Sequence, residues 1–303
     1  MKIAFLFLLI DNPHFPDLWD EYFENNSGKY NIYIHPKYPN KHTWRPQNVV
    51  PNIEETAWGF ITKAYIELFK EAYKNKENIK FVTISESCVP IKTFDIFYDN
   101  CLNKKNINKS WIKIMKIKKY DFGARIMNHI DDIKKSKKNI EIPKLKNFIK
   151  HYARFCLRRL DVEKLLTANN KGKMEFFNTM HVGDEFFLTV ICPLNENDYV
   201  NFAVTHDDWD YVHEEVRKIN ELIKKAYDLI ENVKTNTNDK SKYLIQIDEL
   251  KTLKQSIAKN PKTITNITEE DLENIERTDS YFYRKFSKTS DISEYFDNII
   301  NKN

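Results

Sequence analysis

The sequence predicts an α/β protein with a doubly wound, mostly parallel central sheet. Three observations predict it. Unbroken apolar runs of strand length alternate with apolar residues at helical spacing. Each run stops at a polar or proline-containing cluster, and the 303 residues suffice for one large α/β unit with a sizeable core.

Ile3 to Ile10 is a continuous apolar run ended by Asp11-Asn12-Pro13, the pattern of a strand buried on both faces of a parallel sheet. A helix is expected around Pro16 to Glu24, then a strand from Tyr30 to His35 ended by Pro36. Thr56 to Tyr73 places Ala57, Ile61, Ala64, Tyr65, Leu68, Phe69 and Ala72 at helical spacing. Ile79 to Ile84 is a further strand, stopping at Ser85-Glu86-Ser87. Strand, helix, strand, helix, strand begins a doubly wound domain, whose ligand crevice lies beyond the carboxyl ends of its strands. His35-Pro36 and Ser85-Glu86-Ser87 both fall there.

From Lys104 to Lys150 the chain is Lys/Asn-rich, with a strand-like Trp111 to Ile117 and a middle of no assignable period. Phe155 to Leu157 reads as a strand and Asp161 to Ala168 as a helix capped by Asp161. Gly183-Asp184 precedes Phe186, Phe187, Val190 and Ile191, a short helix with its carboxylates at the N-terminus. Val212 to Val233 and Leu244 to Ile257 share one apolar period on either side of Lys234 to Lys242. They predict an antiparallel helical hairpin, residues 212–258, inserted into a single domain of residues 1–303. That hairpin is the surface on which to seek a partner, a second copy included. Thr268-Glu269-Glu270-Asp271-Leu272 starts an N-capped helix, and Tyr281 to Phe286 is an aromatic-basic stretch.

Composition excludes several classes. With 48 Lys+Arg against 44 Asp+Glu, a net charge of +4 is too small for a general nucleic-acid binder, despite the Lys104 to Lys150 stretch. Five glycines and ten prolines exclude fibrous repeats, and 14% aromatic residues exclude a disordered tail. The four cysteines (Cys88, Cys101, Cys156, Cys192) form no CxxC pair and read as reduced thiols. The run ending at Ile10 lacks a cleavage site and is half the length of a membrane span, so a soluble, unsecreted chain is expected.

Six segments go further: Lys2 to Leu8, Tyr33-Ile34-His35-Pro36, Trp58-Gly59, Ile84-Ser85-Glu86-Ser87-Cys88-Val89-Pro90, Gly183-Asp184-Glu185-Phe186-Phe187 and Arg284-Lys285-Phe286-Ser287. In this order they resemble the core-2/I-branching β-1,6-N-acetylglucosaminyltransferases, glycosyltransferase family 14. Lacking the membrane anchor and disulfides of animal members, and rich in Lys, Asn and Ile, the chain resembles a microbial or viral branch, expected in the cytoplasm, the host's if viral. The resemblance implies a GT-A type fold and inverting transfer of a sugar, N-acetylglucosamine by family default, from a UDP-sugar to an acceptor glycan hydroxyl. It implies no cofactor and no divalent metal.

The family's base falls on Glu185, beside Asp184, because an acceptor hydroxyl needs a carboxylate to take its proton. Lys285 matches the family's diphosphate-binding lysine, and Lys262 stands where the family has arginine, losing the forked geometry; Lys259 or Arg284 could substitute. His35, Pro36, Ser85, Glu86, Ser87 and Trp58 complete the expected donor side. Trp209, His206, Asp208 and Arg154 make the acceptor side. Asp207-Asp208-Trp209-Asp210 contains a literal DXD pattern but matches the acceptor segment, while a single Glu86 between hydroxyls is a poor metal site.

Plainer readings accompany these. Asp184-Glu185 could simply cap a helix, Lys262 lie on the surface, Trp58 pack in the core, His35-Pro36 end a strand, and Arg154 be held by a structural carboxylate. The alternative function is a non-catalytic nucleotide-sugar or carbohydrate binding protein on the same fold.

Overall fold

The computed structural model describes residues 1–232, 237–258 and 260–292. The first apolar run is strand β1 (Lys2–Leu9). Its Ile3, Phe5, Phe7 and Leu9 enter one core and its Ala4, Leu6 and Leu8 another, as the two-residue side-chain period demands of a strand covered on both faces. Helix α1 (Pro16–Phe23) supplies Trp19, Tyr22 and Phe23 to the first core. Next come β2 (Tyr30–Pro36), then α2 (Thr62–Lys74), which covers the opposite face, and β3 (Asn78–Ser85). Both β2 and β3 run parallel to β1, with Phe5 opposite Ile32 and Val82.

The chain continues through β4 (Val89–Pro90), α3 (Phe94–Leu102), β5 (Ser110–Trp111), β6 (Ile114–Met115), α4 (Asn128–Ser136), β7 (Lys150–His151), β8 (Cys156–Arg158), α5 (Arg159–Asn170) and α6 (Glu175–Thr179). It then forms β9 (Tyr199–Val200), β10 (Thr205–Asp207), α7 (Asp210–Asn232), α8 (Thr237–Ile257), β11 (Ile264–Asn266), α9 (Glu269–Arg277), β12 (Phe282–Arg284) and β13 (Phe286–Asp291). The central sheet has the order β2-β1-β3-β8-β5-β9; β8 is antiparallel to its neighbours, and the rest is parallel. This is the mixed α/β, mostly parallel architecture that the sequence predicts.

The first core is aromatic-rich: Phe5 meets Phe23 edge-on at 4.9 Å, and Phe7 meets Trp19 at 5.0 Å. The second joins α2, α5 and the buried Phe186, Phe187, Leu188 and Ile191. Lys80 on β3 is fully buried, and its ammonium is accommodated by the carbonyls of Asn106 (2.7 Å) and Lys109.

Several local expectations need correction. Helix α2 starts at Thr62, six residues later than the period suggests, because 56–61 form a turn bridged between Ala57 and Phe60. Trp111 to Ile117 is two short strands in different sheets rather than one. Asp161 lies inside the first turn of α5 instead of capping it; its carboxylate accepts from Arg158 Nε (2.9 Å) and Ser110 Oγ (2.7 Å), tying α5 to β8 and β5. The helix expected after Gly183 is a pair of 3-10 turns, Gly183–Glu185 and Phe187–Ile191. The chain is pinned there: a Cβ on Gly183 would meet the Phe177 carbonyl oxygen at 2.0 Å, so only glycine fits.

Helices α7 and α8 form an antiparallel pair between β10 and β11, burying Ile219, Ala226 and Ile247. Lys254 Nζ donates to Asn220 Oδ1 (2.7 Å) and Lys251 Nζ to the Tyr227 hydroxyl (3.1 Å). Residues 233–236 of the expected hairpin, and Lys259, lie outside the described residues. Thr268 caps α9 in a capping box with Asp271, as its sequence predicts. All four cysteines are free thiols. Among the described residues no helix is long and apolar enough to cross a membrane.

Candidate active site

The C-terminal stretch crosses the carboxyl end of the central sheet. Strand β12 lies between β10 and β4 in a second sheet, with Asp207 opposite Arg284 and Tyr283 opposite Val89. Phe286 N–H donates to the Ser87 carbonyl at 3.1 Å, His14 Nδ1 is 2.8 Å from the Phe286 carbonyl, and His14 N–H donates to the Glu86 carbonyl at 2.8 Å. The turn after β3, the loop after β1 and Arg284-Lys285-Phe286 are thereby stitched into one wall. Ser85 Oγ lies against Cys88 Sγ at 3.1 Å, while Ser87 Oγ is buried without a partner.

The two expected diphosphate lysines differ. The half-buried Lys285 ammonium has its pKa lowered by burial and by the neighbouring Arg284 charge, against a partial offset from Glu86. Arg284 gives one N–H to Asp207 at 3.1 Å and keeps a buried, unpartnered Nε. Lys262, by contrast, donates to Asp271 Oδ1 at 2.6 Å and lies over the Tyr211 ring at 4.7 Å. Burial works against its charge, but the hydrogen bond and charge of Asp271, with Asp208 and Glu270 behind it, raise its pKa.

The Asp184-Glu185 pair lies on a 3-10 turn and caps nothing. Glu185, 29% exposed, accepts from Arg125 Nη1 at 2.9 Å and faces Lys150 Nζ at 3.4 Å. Both cations also hold the buried Asp121, at 3.2 and 2.9 Å. Asp184 is buried with Oδ1 unpartnered; burial and the Glu185 charge push its carboxyl up to about 6, against the pull of Arg154.

Arg154 is buried, donating to the Tyr65 hydroxyl (2.8 Å) and the Ala153 carbonyl (3.1 Å), with Nε unpartnered. Among the described residues no carboxylate bonds to it, contrary to the plainer expectation. Burial opposes its charge, yet the fields of Tyr65, Cys88, Asp207 and Glu86 raise its pKa. Arg154 thus feels the charges of Glu86 and Asp207, and its own charge pulls on Asp184. Burial raises the Tyr65 hydroxyl to about 12, so it stays a neutral partner.

The remaining predicted residues fall as follows. His35 is buried and its Nε2 accepts from Glu54 N–H at 2.9 Å; the proton is thus assigned to Nδ1, which has no partner. Burial lowers its pKa. Pro36 ends β2 beside it. Asp208 is buried and its carboxylate accepts from Tyr211 N–H at 3.0 Å, opening α7. Of the literal DXD pattern, Asp208 is engaged at a helix end and Asp210 is exposed, 4.0 Å from His213, while the preceding Asp207 pairs with Arg284. Among the described residues no three His, Cys, Asp or Glu side chains converge as a metal set. His206 packs on Tyr283 at 4.9 Å, and Trp209 is half-buried at the start of α7. Trp58 is largely exposed, so it is not a core residue.

Sequence reading overlooked Asp121, Arg125, Lys150, Tyr65 and His181. Tyr65 carried a signal, a tyrosine in the buried stripe of α2; the first three lie in or at the end of the stretch without a period.

A mostly parallel α/β sheet with a cationic strand across its carboxyl ends is a GT-A-like glycosyltransferase architecture. The chain belongs to the Core-2/I-Branching enzyme family, whose model matches residues 3–255. This is a glycosyltransferase family; the matched span includes Glu185 and stops short of Lys262, Arg284 and Lys285. No match was found among curated proteins.

Proposed function

We propose that the chain is an inverting glycosyltransferase that moves a sugar, N-acetylglucosamine by family default, from a UDP-sugar to an acceptor glycan hydroxyl without a divalent metal. The acceptor oxygen attacks the anomeric carbon as Glu185 takes its proton, and the electron pair of the breaking bond leaves with UDP. Lys285 and Arg284 meet the charge that grows on the diphosphate. Glu185 reaches the acceptor by exchanging Arg125 for the incoming hydroxyl, while Lys150 and Asp121 keep the loop in place.

The observation that carries this reading is the wall built by Ser87, His14 and Phe286, which holds the backbone around Lys285 at the end of the central sheet, where the family resemblance leads us to expect the donor. Support also comes from the partly exposed Glu185 carboxylate, held by Arg125 and Lys150.

A thermal-shift panel of UDP-sugars in EDTA tests the donor, since a ligand that binds only the folded state raises its melting temperature. Transfer to a glycan acceptor panel in EDTA tests the chemistry. Donor binding with no transfer to any acceptor supports instead a binding protein, the reading favoured by the ion pairs that occupy Glu185 and Lys262. Activity that needs added manganese overturns the metal-free clamp.

A further inference from the structure

The turn ahead of α2 holds aromatic side chains where a core would not place them. Trp58 is 66% exposed and Phe60 42%. They flank the His181 ring, with centroids 5.0 and 5.5 Å away. The turn is rigid. Gly59 adopts φ +78°, its carbonyl accepts from Val182 N–H at 2.7 Å, and an added Cβ would strike the His181 ring at 2.7 Å. Val182 is three residues before Glu185, so the aromatic pair is tied to the loop that carries the carboxylate.

Beside the turn is a cavity of about 410 Å³, lined by Glu54, Glu55, Thr56, Phe60, Lys63 and Asn178 among others. The size is within the roughly 300–1,000 Å³ of small-ligand sites. Asn178 Oδ1 is buried there without a hydrogen-bond partner, while its Nδ2 donates to Glu175 at 3.3 Å.

We propose that this turn and cavity form a subsite for an uncharged sugar residue of the acceptor glycan, one or more units from the reacting hydroxyl. The proposal rests on the transfer reading above. An exposed, rigid indole offers an apolar face to the C–H face of a pyranose at small cost in conformational freedom. The carboxylates of Glu54 and Glu55 accept from sugar hydroxyls, with Asn178 in the cavity wall beside them. Two carboxylates against the single Lys63 ammonium repel a diphosphate or an acidic sugar, which leaves a neutral residue as the occupant. Attachment to the Glu185 loop, rather than to the Lys285 wall, sets the subsite on the side from which the acceptor proton departs.

The test is a printed array of neutral and sialylated or uronic-acid-containing oligosaccharides, probed with the wild type, Trp58→Ala, Phe60→Ala and Glu185→Gln, with thermal midpoints measured for each. Wild type and Glu185→Gln are expected to bind neutral glycans. Trp58→Ala and Phe60→Ala are expected to weaken that binding at least about tenfold with midpoints unmoved, both side chains being exposed. Wild-type affinity in both aromatic variants, no neutral glycan bound by the wild type, or preference for acidic glycans overturns the subsite. The transfer reading fails separately: array binding that depends on Trp58, in a protein that transfers nothing, sinks that reading and leaves the subsite standing.

Discussion

Two regions of the candidate site are held by different forces. Around Lys285, main-chain hydrogen bonds from Phe286 to Ser87 and from His14 to Glu86 fix the backbone, and burial lowers the Lys285 pKa. Around Glu185, side-chain charges do the fixing: Arg125 and Lys150 bridge Glu185 to Asp121. A wall fixed through its backbone can present a bare charge. On the proposed function, a wall fixed through its charges exchanges a partner when substrate arrives, so sensitivity to pH and salt is expected to concentrate there.

The largest expected effect is at the base. Glu185→Gln should lower kcat by about 10²–10⁴-fold while UDP-sugar still raises the melting temperature. Full turnover in that variant removes the base assignment. Lys285→Ala should cost about 10²–10³-fold and abolish the donor-induced thermal shift. Its unliganded melting temperature should stay or rise, because the pKa of Lys285 is lowered in the fold and its charge is carried there at a cost.

Asp184 sharpens the contrast through pH. Its carboxyl is raised from 3.8 to about 6, so between these values the folded chain holds a proton that the unfolded chain has lost. Its contribution to stability therefore falls as pH rises through that window, by at most about 3 kcal/mol. Asp184→Asn should gain up to that amount at pH 7.5, measured by urea denaturation, and nothing at pH 4. Ionised Asp184 adds negative charge beside Glu185, so the wild-type rate should rise through about pH 6, and Asp184→Asn should lack this limb. The smallest catalytic effect is expected at Lys262, where Lys262→Met should lower stability by about 1–3 kcal/mol, because Asp271 loses its buried partner. If Lys262→Met instead matches Lys285→Ala in rate with an unmoved melting temperature, Lys262 belongs to the donor wall.

The sequence was most legible where short-range pattern and burial coincide. Continuous apolar runs gave β1 and β3, and the Thr268 capping box gave α9, because each is decided by neighbours within a few residues. The carboxylate loop was legible only as a residue pair. Phe186, Phe187, Val190 and Ile191 fit a helical period, but the Phe177 carbonyl against Gly183 and the burial of that whole segment shaped 3-10 turns instead. Arg125 and Lys150 were illegible because their partner in the site, Glu185, is 60 and 35 residues away and a Lys/Asn-rich stretch carries no period. The sequence set Lys262 apart from Lys285 only as a departure from the family's arginine; its ion pair with Asp271, nine residues on, became visible in the fold.

The bond between Phe286 and Ser87 joins residues made 199 positions apart on the ribosome. A nascent chain that has threaded out its first strands and the loop with the acidic pair still lacks the stretch that closes this wall. Any truncation ahead of Phe286 therefore removes this wall, whatever else of the central sheet has folded.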